Sequence, residues 1–109
     1  MARTLITIPP SPKKGDVIEI RVLIQHQMET GFRVTSEGRL VPRNIIKKFS
    51  CRFNDGTKDE TIISAELFPA VAANPYLTFH LVAANGTLTF TWEGDEGFSQ
   101  TETAALKVV

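Results

Sequence analysis

From Asp16 to Gln25 the chain reads DVIEIRVLIQ, with Ile18, Ile20, Val22 and Ile24 on one side of an extended backbone and Val17, Glu19, Arg21, Leu23 and Gln25 on the other. A repeat of two in β-branched residues marks a half-buried strand, because successive side chains point to opposite faces. The alternation returns four times. IIKKFSCRF puts Ile45, Phe49, Cys51 and Phe53 on one side and Ile46, Lys48, Ser50 and Arg52 on the other. ETIISAEL places Ile63, Ala65 and Leu67 on one face, and YLTFHLVA turns Leu77, Phe79 and Leu81 inward. TLTFTWE turns Leu88, Phe90 and Trp92 inward and Thr87, Thr89 and Thr91 outward. RTLITI at the start and FSQTETAALKVV at the end bring the count to about seven strands. The run NDG (Asn54 to Gly56) and the run GDEG (Gly94 to Gly97) are turn chemistry. Asn85-Gly86 is the strongest short hairpin signal and predicts a type I′ turn between the strands beside it. No segment sustains a helical period. The expected fold is all-β, an immunoglobulin-like antiparallel β-sandwich of about seven strands, each sheet having one wet face.

A chain of 109 residues fits one domain spanning 1–109. At this length folding buries roughly 65% of the unfolded surface, enough for one core without staples. Twelve basic and twelve acidic residues cancel to a formal net charge of +0. Nothing in that balance advertises nucleic acid or an anionic membrane as a partner, and no apolar run approaches the length of a membrane span. The opening MARTLITIPPSPKK lacks the apolar core and small-residue cleavage site of a secretory signal, so on these residues alone the cytoplasm is expected. A single Cys excludes an internal disulfide.

Candidate chemistry is sparse. Cys51 falls on the apolar side of its strand between Phe49 and Phe53, which predicts a buried structural thiol rather than a nucleophile. His26 and His80 are the only imidazoles, and neither has local ligand spacing. His80 lies on the face opposite Leu77, Phe79 and Leu81, so it points away from Cys51, and a metal site is not expected. His26 belongs to QHQMETG, a loop in which Met28 is an adaptable apolar contact group. Asn85-Gly86-Thr87 matches a glycosylation acceptor, but the hairpin reading explains the same residues. No Ser–His–Asp spacing, phosphate-binding glycine loop or carboxylate pair is present. The residues describe a binding or structural β domain, not an enzyme, with no cofactor.

Four blocks in order, GDVIEIRVLIQHQMETG, VPRNIIKKFSCRFN, SAELFPAVAANPYLTF and GTLTFTWEGDEG, resemble the SoxZ family across about 90 residues. That family is the smaller subunit of the SoxYZ sulfur carrier of bacterial thiosulfate oxidation. The resemblance implies an immunoglobulin-like sandwich that pairs with SoxY as a heterodimer and meets other thiosulfate-oxidation enzymes transiently through the carrier complex. It also implies that intermediates ride on a cysteine in a glycine-rich SoxY tail. This chain ends AALKVV, so Cys51 does not correspond to that carrier cysteine. The resemblance further implies the periplasm, reached by co-export with a signal-bearing partner. TKDET (Thr57 to Thr61) is more polar than the family pattern at this turn, which a hairpin loop tolerates. A free-standing immunoglobulin-like binding or accessory domain is the alternative, and self-association of the isolated chain as a homodimer is left open.

The connection SAELFPAVAANPYLTF (Ser64 to Phe79) is apolar yet broken by Pro69 and Pro75, so it is neither one helix nor one strand. Aromatic groups and Met are enriched at interface cores, and prolines hold a loop preorganised. The surface expected to face SoxY therefore comprises Phe68, Pro69, Asn74, Pro75 and Tyr76, with His26, Met28 and Glu29 nearby. The competing expectation is that Phe68 and Val71 cap the core.

Overall fold

The computed structural model describes residues 3–68 and 73–109. Seven strands follow one another: β1 (Thr4–Thr7), β2 (Val17–Ile24), β3 (Ile46–Asn54), β4 (Asp59–Glu66), β5 (Tyr76–Val82), β6 (Gly86–Gly94) and β7 (Ser99–Leu106). They form two antiparallel sheets, one of three strands in the order β1-β2-β5 and one of four in the order β4-β3-β6-β7. The expected all-β sandwich is what the chain adopts, and its inward faces are those of the alternation. Ile18, Ile20, Val22 and Ile24 of β2 are buried, as are Leu88, Phe90 and Trp92 of β6. Phe49 joins the layers, with its ring centroid 5.2 Å from Trp92 in its own sheet and 6.3 Å from Phe79 in the other.

Two departures from strict alternation have local causes, and one turn expectation is corrected. Ile46, expected on the wet side, is fully buried next to Ile45. A bulge in the pairing with β6 between Ile46 and Lys48 re-aims the side chains that precede it. A second bulge, where β3 meets β4 after Cys51, leaves both Ile62 and Ile63 half-buried against the core. The corrected turn is Asn85-Gly86, which closes no hairpin. β5 pairs with β2 in one sheet and β6 with β3 and β7 in the other, so the chain crosses between layers at this point. That crossing lets Phe79 and Phe90 approach one core from opposite sides. Gly86 is needed for close approach rather than for a left-handed φ: a Cβ there would lie 2.5 Å from the Asn54 carbonyl oxygen and 2.6 Å from the Phe53 ring.

The connections gather at two ends. One end holds the β3–β4 turn, where Asp55 Oδ1 accepts from Thr57 and Lys58 N–H, and these bonds lower its pKa to about 2. The β5–β6 crossing is there too, with Asn85 Oδ1 accepting from Val108 N–H at 2.9 Å. The other end gathers residues 25–45, Leu67, Phe68, Asn74 and Pro75, and the turn Asp95–Gly97. From it residues 29–44 project as a narrow ribbon, and the chain measures 57 × 23 × 21 Å.

Candidate partner-binding surface

At the ribbon end, a knot of hydrogen bonds ties three connections together. His26 N–H donates to Asn74 Oδ1 at 3.0 Å, and Asn74 N–H returns a bond to the His26 carbonyl at 2.7 Å. The imidazole Nδ1 accepts from Met28 N–H at 3.0 Å, and the ring meets Phe98 edge-on at 5.5 Å. Met28 and Asn74 both have a φ of 54°. Asn tolerates this region through its short polar side chain, whereas Met adopts it only where surrounding contacts hold it. Those contacts are visible: Met28 is 4% exposed, and its Sδ accepts from Ile46 N–H at 3.2 Å. Desolvation lowers the His26 pKa, opposed more weakly by Asn44 and Asp95. Asn44 Oδ1, which favours the protonated ring, is buried without a hydrogen bond of good geometry.

Charged groups around this knot are matched internally. Asp95 takes both arms of the Arg43 guanidinium at 2.8 and 2.9 Å, accepts from Ile45 N–H at 3.2 Å, and lies 3.6 Å from Lys47. The Arg43 bonds come first among the causes that lower the Asp95 pKa. Glu29 grips Arg33 in the same two-armed way, with contacts of 2.8 and 3.0 Å, and its pKa is lowered by that bond. Beside them opens a cleft of about 550 Å³ with Ile45, Leu67 and Phe68 on its apolar side and Arg43, Lys47 and Lys48 among its polar groups. Asp95 already holds Arg43 and Lys47, and Lys48 sits across from Glu66 and Glu93 on the flanking strands. With its cations so balanced, the cleft is suited to apolar contact more than to capture of a free anion.

Residues 6–105 match the family described as sulphur oxidation protein SoxZ. The chain belongs to the SoxZ family. No curated protein matches this SoxZ-family chain. Among solved structures it is similar to a superoxide reductase (neelaredoxin) from Ignicoccus hospitalis, with a TM-score of 0.73 and 16% identity over 99% of this chain and 82% of that one. A superoxide reductase from Nanoarchaeum equitans matches with a TM-score of 0.67 and 14% identity over 94% and 90% of the two chains. At such identity the likeness shows the sandwich fold alone. Among the described residues, no group of three or more His, Cys, Asp or Glu stands where it could hold a metal ion. No helix among them is long and apolar enough to cross a membrane.

The structure sorts the residues expected to face SoxY. Phe68 and Tyr76 are 62% and 54% exposed. Asn74 is exposed, and His26 and Glu29 are half-buried. Met28 and Pro75 are buried within the chain, which corrects the expectation that they present contact surface. Pro69 and Val71 lie outside the described residues. Nor do the exposed aromatics form one patch. Tyr76 stands on the outer face of the three-stranded sheet in a cross-strand row with Leu23 and Leu5, whereas Phe68 lines the cleft beside the four-stranded sheet. The row was missed because Leu23 sits on the wet side of an otherwise clean alternation. The ribbon 29–44 was missed as well. Its signal is the alternation in FRVTSEGRLV between Gly31 and Pro42, short enough to pass for loop.

Cys51 is buried at 0% exposure, and desolvation pushes its pKa up to about 12. His80 is exposed on the outer sheet face, 3.7 Å from Glu19, which also pairs with Arg21.

Proposed function

We propose that this SoxZ-family chain is the non-catalytic subunit that binds SoxY, forming the SoxYZ heterodimer that carries thiosulfate-oxidation intermediates on a SoxY cysteine. The observation that carries the reading is the state of the one thiol. A sulfur carrier needs a thiolate that reaches solvent, and Cys51 is sealed in the core with a pKa near 12. The chain then contributes by holding a partner, and large apolar groups exposed near one end of the sandwich support that role. The complex works in the periplasm, reached together with the signal-bearing partner, and meets the other enzymes of the pathway only transiently.

Calorimetric titration with purified SoxY tests this directly, with thermal melts of each variant alone as control. Tyr76→Ala and Phe68→Ala should each weaken the complex by roughly 1–3 kcal/mol if they anchor it, while the melting temperature of the isolated chain changes little. A wild-type chain that shows no heat with SoxY would favour a free-standing accessory domain. In cells, the chain should appear in the periplasmic fraction when SoxY is co-expressed. Retention in the cytoplasm with SoxY present would count against co-export.

A further inference from the structure

Residues 29–44 form a two-stranded ribbon whose outer part the rest of the described chain leaves exposed. At its base Glu29 and Asn44 exchange both backbone hydrogen bonds at 2.8 Å. Farther out Val41 N–H donates to the Arg33 carbonyl and Thr35 N–H to the Arg39 carbonyl, both at 2.8 Å. Val34 and Leu40 face each other between those bonds. This is the type of cross-strand position where no backbone bonds are exchanged and side chains stand closest. Two residues back along each strand come Phe32 and Pro42, so by the two-residue repeat Phe32, Val34, Leu40 and Pro42 share one face. Phe32 is 82%, Val34 57% and Leu40 62% exposed, and Pro42 is exposed with them. Arg33, Thr35 and Arg39 fall on the other face together with the half-buried Val41. The ribbon is amphipathic with its apolar side in water. A hairpin of two strands is marginal alone in water, so a cover for that side would stabilise it.

We infer that the apolar face of this ribbon is a docking arm that seats in an apolar groove of the partner subunit, with Phe32 as its deepest anchor. The inference rests on the SoxY-binding reading above and assigns the surface that does the binding. Area selects the occupant. The apolar face offers a few hundred Å², about the size of the largest patch on an ordinary monomer. Two copies meeting through this face alone would bury less than the roughly 1,200 Å² at which stable interfaces begin. A partner whose groove covers both flanks of the arm and reaches the adjoining cleft at Phe68 buries more than that face alone offers. The arm meets this need because it projects, whereas a flat sandwich face would present only one side.

The test uses the full chain and purified SoxY. Hydrogen exchange should show the amides of residues 32–41 becoming protected when SoxY is added. In calorimetry the double variant Phe32→Ser, Leu40→Ser should lose roughly 30-fold or more in affinity, with an unchanged melting temperature because both side chains already lie in water. Wild-type affinity in that variant, or an unprotected arm in a chain that binds SoxY, would overturn the arm and leave the carrier reading intact. Failure of the wild-type chain itself to bind SoxY would remove both, and is distinguished by that fact. A homodimer of the isolated chain that the double variant dissolves would give the arm to a second copy and overturn the assignment to SoxY.

Discussion

Cys51 and His26 show how burial at a single position sets chemistry. The thiol at 0% exposure is held protonated, with a pKa near 12, so it should react with thiol reagents slowly in the folded chain and rapidly in denaturant. Cys51→Ser should lower stability by about 1–3 kcal/mol, because it places a hydroxyl among apolar neighbours, yet leave sulfur carriage intact in a reconstituted pathway. Rapid labelling of the native chain would contradict the burial. His26 differs in being only half-buried, and its pKa is lowered chiefly by desolvation. Between the depressed folded value and the ordinary 6.5 the unfolded chain binds the proton first, so the stabilising contribution is complete above about pH 6.5 and lost as pH falls below it. Melting curves from pH 8 to pH 5 should therefore decline at the acid end, and His26→Gln should flatten that decline. An identical decline in the variant would assign it to other groups.

At the level of strands, the bulges and the inter-sheet crossing decide how an alternating pattern is read out. Lys47 and Lys48 are adjacent, and both are exposed, because the bulge beside Ile46 breaks the repeat there. As a result the exposed pair lines the cleft, and the buried pair Ile45–Ile46 closes the core beneath it. Gly86 marks the crossing from one sheet to the other. Gly86→Ala should destabilise by about 1–3 kcal/mol, since the added methyl meets backbone oxygen at 2.5 Å and the Phe53 ring at 2.6 Å. Chemical denaturation would measure this. Little or no loss would mean that β6 shifts freely against β3.

For the whole molecule, shape carries the most information. Its radius of gyration is 16.4 Å, against about 13 Å for a compact chain of this length. A nine-residue strand spans about 30 Å, so the 57 Å long axis needs the ribbon beyond the sandwich. Trypsin should accordingly cut first after Arg33 and Arg39 on the arm, ahead of Lys48 and Arg52 in the paired strand β3, and mass spectrometry of the early fragments reads the order. First cuts within β3 would mean that the sandwich opens before the arm is attacked.

Strand identity, inward faces and the burial of Cys51 were legible in the sequence, because a period of two places each side chain on a face and apolar faces must leave water. Phe79, Phe90 and Trp92 needed no more than their spacing. Which strands pair was not legible. Asn85-Gly86 has the local chemistry of a hairpin, but burying two apolar faces against each other from opposite sheets outweighs one turn preference. Which loop residues stay exposed was legible only in part, since spacing shows which side of a strand a residue takes but not which end of the sandwich its loop reaches. Phe68 and Tyr76 were found as exposed apolar residues, whereas Met28 was drawn into the core by the fold of its own loop and the Sδ contact to Ile46 N–H. The arm became visible only in three dimensions, because its apolar face is defined by the pairing of Val34 with Leu40 and by the absence of any other part of the described chain above it.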